Sequence, residues 1–66
     1  MKHEYDRKPA RDIVPGDMIF NVKTRRPVAV DTVYVESNGK LVIEDVTGNV
    51  TAFGRKELVL VLYVKG

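Results

Sequence analysis

The residues able to do chemistry in this chain are few, and their spacing works against catalysis. His3 is the single histidine. It stands in the polar segment MKHEYDRK, where no third group can orient it as a general base requires, and it reads as a solvated residue. Glu44 and Asp45 are adjacent, so on a strand they point to opposite faces and cannot work as an acid/base pair on one substrate. Asp17 follows Pro15-Gly16, and an aspartate in a turn is expected to accept hydrogen bonds from nearby backbone N–H groups rather than to act as a catalytic acid. No run of glycines cradles a phosphate, and no spacing of His and acids matches a metal site. The sequence therefore predicts a non-enzymatic protein with no catalytic residue, no metal and no cofactor.

Charge gives a second class of candidate. The net charge is only +2, but residues 18–30 hold Lys23, Arg25 and Arg26 with no acid, and the other residues carry eight bases against nine acids. All of the excess lies on one predicted hairpin. Arg55 and Lys56 stand on the connector ahead of the last strand. If the two groups converge, five positive charges face one side and neutralise a few phosphates, with Tyr34 as a platform for stacking a base. Aromatic interleaving is thin, however, because Phe20 and Phe53 are expected in the core and Tyr63 half-buried. A solvated basic loop accounts for the same cluster.

The elements that must position these residues are short strands. MKHEYDRK lacks any apolar period, so residues 1–8 read as a flexible N-terminal arm ahead of a single domain over 9–66. PARDI allows one helical turn, and Pro15-Gly16 fits the central pair of a type II turn. Met18 to Lys23 is the first strand, with Met18, Phe20 and Val22 on one face. VAVDTVYVES resumes the alternation, but Val28 and Val30 have one parity and Val33 and Val35 the other. A bulge or bend at Asp31-Thr32 is the physical consequence, since one extra residue moves every later side chain to the opposite face. Asn38-Gly39 predicts a type I′ hairpin, Lys40 to Val46 the third strand, Gly48 a second tight turn, and Val50 to Phe53 the fourth. GRKEL allows one 3₁₀ turn before VLVLYV, the fifth. The pattern is all-β, and at this length a small five-stranded barrel with a short N-terminal arm is the economical solution.

Size and composition bound the rest. A chain of 66 residues buries only about 60% of the surface that its unfolded form exposes. With no cysteine, neither disulfides nor thiolate-bound zinc can staple it, and apolar packing must hold it together. The longest apolar run, Leu58 to Val64, is far short of the roughly 20 residues that a membrane helix needs. A soluble, cytoplasmic protein without membrane contacts is the expectation.

That last run carries the third candidate. Both of its parities are apolar, Val59, Val61 and Tyr63 against Leu58, Leu60, Leu62 and Val64, whereas a strand with one solvated face needs only one. Burial on both faces requires a second surface. Either the segment around Ile13-Val14 covers the outer parity, or another protein does, a partner or a second copy in a homodimer.

The order of these features resembles small SH3-like barrels: a PGD turn into the first strand, a basic loop, a long bent strand, an Asn-Gly hairpin, a second hairpin at Asp45 to Asn49, and a short connector before a last apolar strand. The segment Ala10 to Asp17 also resembles the A-x-D-I-x-P-G-D start of short barrels encoded by bacteriophages and their actinobacterial hosts. Gly16-Asp17 ahead of an apolar strand is similar to the opening of KOW modules, which use the following loop to touch RNA or protein; TRRPVAV lacks the glycines that those modules place there. The early GD strand and later P-V strand also look like autoprocessing domains of the intein and hedgehog type, but those start with a nucleophilic Cys or Ser and need roughly twice this length, so cleavage chemistry does not carry over. The resemblance implies a small binding or accessory protein, of phage type, acting through protein contacts or self-association, with a nucleic-acid-binding module as the alternative.

Overall fold

Turn chemistry sets the strand boundaries in the computed structural model, which describes residues 2–65 and the side chains of 4–63. Six strands result: β1 (Lys2–Pro9), β2 (Met18–Asn21), β3 (Arg26–Val35), β4 (Leu41–Asp45), β5 (Val50–Phe53) and β6 (Leu58–Lys65), with one 3₁₀ turn at Ala10–Asp12. The Asp17 N–H donates to the Val14 carbonyl (3.1 Å) while Gly16 takes a φ of +97°, which is the type II turn expected of Pro15-Gly16. β2 stops at Asn21 rather than Lys23, because the Asn21 side-chain oxygen accepts the N–H groups of Lys23 and Thr24 and its carbonyl accepts the Arg25 N–H. Local capping of this kind competes with the sheet ladder and wins.

The two following hairpins share one design. Gly39 N–H donates to Glu36 O and Glu36 N–H to Lys40 O; Gly48 N–H donates to Asp45 O and Asp45 N–H to Asn49 O. Each is a three-residue loop closed by a glycine at positive φ, +84° at Gly39 and +91° at Gly48. The expected type I′ turn is thereby corrected. Only Gly39 of the Asn38-Gly39 pair has positive φ, and Asn38 instead uses its side-chain oxygen to accept the Lys40 N–H. This is a type I turn with a glycine bulge, the favoured solution when the loop holds three residues.

The sheet is antiparallel, in the order β1-β6-β2-β3-β4-β5. Its two end strands, β1 and β5, are not paired with each other, so the sheet is not closed, and it has six strands where the sequence predicted a five-stranded barrel. The sixth is Lys2–Pro9. Residues expected as an arm pair with β6 from Lys2↔Lys65 to Pro9↔Leu58, because a strand already bonded on its other edge offers a row of free backbone groups that needs no apolar pattern from its partner. The change of parity in β3 is present as predicted: Val30 opposes Asp45 and Thr32 opposes Glu44, with a register shift between them. The bulge lets one long strand serve both ends of the sheet, pairing with β2 before the bend and with β4 after it.

The core is formed by Ala10, Ile13, Ile19, Val30, Leu41, Ile43, Val59 and Val61, none more than 7% exposed. Val28, Val33 and Phe53 pack against it. Ala10 and Ile13 belong to the 3₁₀ turn and its end. They enter this interior and do not lie across the outer parity of β6. Ala10 N–H donates to Glu57 O at 2.8 Å, tying the segment to the start of that strand. Among the described residues no helix is long and apolar enough to cross a membrane.

A Cβ added at Gly39 would meet nothing within 4 Å, so substitution there tests backbone conformation alone. Gly39→Val is expected to cost about 1–3 kcal/mol, the strain of a β-branched residue at positive φ, and Gly39→Asn distinctly less. Chemical denaturation with an unchanged slope checks both.

Candidate functional site

Strand registers decide which candidate residues share a surface. Val59 and Val61 face the core, and Ile19 opposes Val61. The other parity of β6 therefore faces outward, together with the residues opposite it on β1: Leu62 opposes Tyr5, Leu60 opposes Arg7, and Leu58 opposes Pro9. On β2 the outward residues are Met18 and Phe20, which oppose Ala29 and Pro27 of β3. Phe20 was expected in the core, on the face that it shares with Met18; Ile19 takes that place, and Phe20 is half-buried on the other face of β2. The single apolar residue of the opposite parity outweighs the pair because it alone meets Val61 inside.

The result is an apolar outer face across β1, β6, β2 and the first half of β3. Leu58 is 56% exposed, Leu60 41% and Tyr5 42%, with Leu62, Phe20 and Met18 half-buried. Tyr5 and Phe20 meet edge to face above β6, with ring centroids 5.5 Å apart and planes at 89°, a favoured aromatic geometry. Arg7 is the charged residue within this face. Val64, also a candidate for this surface, lies outside the residues whose side chains are described, as does His3. Tyr5, Arg7 and Phe20 were not read as part of a site. The signal that pointed to the face was the double-sided apolar pattern of β6, and only the pairing with β1 reveals its neighbours.

At the end of the sheet where β2 runs into its hairpin, a cleft of about 330 Å³ opens between β2, β5 and β6. β2 and β6 share one bridge pair, Ile19↔Val61. Asn21, Val22 and Lys23 line one wall of the cleft, Leu58, Val59 and Leu60 another, and Val50, Thr51 and Phe53 of β5 a third. A shallower hollow adjoins it through Asn21, Val28 and Asn49 and reaches Arg26.

The basic candidates are only partly brought together. Lys23 and Arg25 are in the β2–β3 loop and Arg26 opens β3, all three exposed. Arg25 holds a φ of +58°, which aims the end of the loop into β3. Because β2 and β6 run antiparallel, the connector with Arg55 and Lys56 lies toward the same end of the sheet, but neither residue lines the cleft with Lys23. Arg55 is tied instead to the 3₁₀ turn, its carbonyl accepting the Arg11 N–H at 3.4 Å. Tyr34 does not join them. It stands eight positions along β3 from Arg26 and past the bend, roughly 25 Å of strand away, and opposes the buried Val42.

The acids have structural partners. Asp17 accepts the Val14 N–H at 3.1 Å and pairs with the Lys8 ammonium at 3.1 Å, tying β1 to the turn ahead of β2. Asp45 is the one buried charged or polar side chain among the described residues. Its Oδ1 accepts the Thr47 hydroxyl, the Thr47 N–H and the Asn49 N–H. The Thr47 hydroxyl above all, and then the loop N–H groups, hold its carboxyl below the ordinary value of 3.8 against burial, which pushes it up. A carboxylate whose Oδ1 accepts three hydrogen bonds from its own loop is an anchor for the β4–β5 hairpin. Among the described residues no three His, Cys, Asp or Glu stand together as a metal site.

Comparison of the chain with known protein families, with curated proteins and with solved structures finds no match.

Asp45→Ala removes the acceptor of three part-buried hydrogen bonds and is expected to cost about 1–2 kcal/mol at pH 7. Since the folded-state pKa lies below the unfolded one, the contribution of Asp45 is present above about pH 4 and is lost as pH falls through the folded value. The stability gap between wild type and Asp45→Ala should accordingly narrow below pH 4, as read by denaturation at several pH values.

Proposed function

We propose that this chain is a small cytoplasmic accessory protein, SH3-like in architecture and of phage type, that works without catalysis by binding protein through the outer face of β6, in the first instance a second copy of itself. The observation that carries the reading is the exposure of Leu58 and Leu60 on a strand whose opposite parity already fills the core. A contiguous apolar face on a small protein marks an interaction surface, and a twofold pairing of like faces closes without further growth.

The SH3-like architecture is supported by the order β6-β2-β3-β4-β5. That order is a meander whose last strand returns beside its first, with a bent β3 common to both ends, and β1 is an addition to its edge. The likeness of Ala10–Asp17 to phage-type barrels supports the accessory role. The nucleic-acid alternative has the cluster Lys23, Arg25 and Arg26 in its favour, but Tyr34, its stacking platform, stands at the far end of β3.

At micromolar concentration the wild type is expected to sediment at twice its 7.4 kDa mass. Leu60→Glu, which places a carboxylate in the middle of the face, should give a monomer with an unchanged circular dichroism spectrum. A monomeric wild type would remove self-association from the reading.

A further inference from the structure

The two end strands of the sheet are not alike. β1 carries Glu4, Asp6, Arg7 and Lys8 along its length, and charges of this density keep an edge from pairing with foreign strands. β5 is VTAF, with no charge and no proline. It pairs with β4 on one side only, and Val50, Thr51 and Ala52 are exposed. An unprotected edge presents a row of free N–H and C=O groups, and the cleft lies directly against this one, since Val50, Thr51 and Phe53 form a wall of it.

The lip of the cleft supplies the chemistry of the occupant. Lys23 lines it, Arg26 lines the adjoining hollow, and Arg25 stands between them in the same loop. Lys8 pairs with Asp17, and none of these three takes part in that ion pair. Asp45 also lines the cleft, but it is buried and its Oδ1 is occupied by its own loop. The lip is therefore positive and without an ion-pair partner, while the lining is mostly apolar, with Asp45, Asn49 and Thr51 at the β4–β5 side. A volume of about 330 Å³ stands at the lower end of the roughly 300–1,000 Å³ of binding pockets, enough for a few aliphatic side chains and too little for a folded element.

We infer that this cleft receives an extended acidic–apolar segment of a partner protein, which adds as a strand to the free edge of β5. Main-chain hydrogen bonds to β5 give the contact its direction. Alternate apolar side chains enter the cleft beside Val22 and Leu58, and the intervening carboxylates meet Lys23, Arg25 and Arg26. This goes beyond self-association through the outer face of β6: the contact is made at the edge of β5, and the two surfaces meet at Leu58 and Leu60, which also line the cleft.

The test is fluorescence anisotropy with the full chain and labelled probes: a peptide of about eight residues alternating Val or Leu with Asp or Glu, the same peptide with Lys in place of the acids, and single-stranded DNA of similar length. The acidic peptide is expected to bind, more weakly as salt is raised, and the basic one not to bind. Hydrogen exchange should show new protection of the Val50–Phe53 amides in the complex. Lys23→Glu with Arg26→Glu is expected to weaken binding roughly tenfold or more. Val22→Asp should do likewise, and because all three positions are exposed, circular dichroism should be unchanged. Failure of the acidic peptide to bind overturns the inference, as does binding without protection at β5. DNA binding that the same substitutions abolish would assign the basic lip to nucleic acid. Leu58 and Leu60 belong both to the outer face of β6 and to a wall of the cleft, so the two proposals are separated at Lys23, Arg26 and Val22, where substitution is expected to weaken peptide binding while sedimentation stays that of the wild type.

Discussion

The molecule is organised around β6, a strand with apolar side chains on both faces and a paired neighbour on both edges. Its inner parity brings Val59 and Val61 into the core, each at 6% exposure or less, where they meet Ile19 from β2 and the residues of β4 across the interior. Backbone groups on both edges of such a strand must be satisfied as well. One edge is met by β2, at the bridge from Ile19 to Val61. The other has no apolar partner left in the chain, and the polar segment Lys2–Pro9 takes it over its full length. A sequence that could not bury a core of its own thus becomes a strand because its neighbour requires one. The charges it brings have a second effect, since they leave the outermost edge on that side poorly suited to further pairing.

The interior then fixes the rest through β3. One extra residue at Asp31 moves Val33 to the parity that Val28 and Val30 held before it, so a single strand packs against the same core from two directions. The bend brings the β4–β5 hairpin over the end of the sheet, where Val46 N–H donates to Ala29 O at 3.0 Å. Asp45 locks that hairpin by accepting from Thr47 and Asn49. Its buried carboxylate is tolerable because the loop supplies the donors that water would otherwise supply. With the hairpin set there and β2 joined to β6 at one bridge pair, the cleft is a consequence of the bend.

What could be read directly from the sequence was the part governed by local chemistry. Pro15-Gly16, the glycines at 39 and 48, the parity change at Asp31-Thr32 and the bounds of β5 all follow from residues acting on their own backbone. The strand Lys2–Pro9 was not legible, because its pairing is dictated by β6, some fifty residues later, and nothing in KHEYDRK alternates apolar with polar. The face assignment of β2 failed for a related reason. Met18 and Phe20 outnumber Ile19 as apolar residues, but the register with Val61 decides which parity is inside. Of the candidate surfaces, the double-sided pattern of β6 pointed to Leu58, Leu60 and Leu62 in advance. The grouping of Tyr34 with the basic loop did not survive, since distance along a bent strand is invisible to composition.

Electrostatics gives the molecule a polarity that its small net charge conceals. Among the described residues the outer face of β6 is neutral apart from Arg7, the edge of β1 mixes both signs, and the trio Lys23, Arg25 and Arg26 takes no part in the Lys8–Asp17 ion pair. Exposed charges are screened within about 8–10 Å at ordinary ionic strength, so this block acts locally, on whatever enters beside the hairpin, and does not steer partners to the molecule as a whole. Apolar burial is indifferent to such screening. An apolar face and a charged lip at different places on one small sheet therefore respond to different variables, the first to concentration and the second to salt. Any contact made through β6 would persist at high ionic strength, and any made at the cleft would loosen.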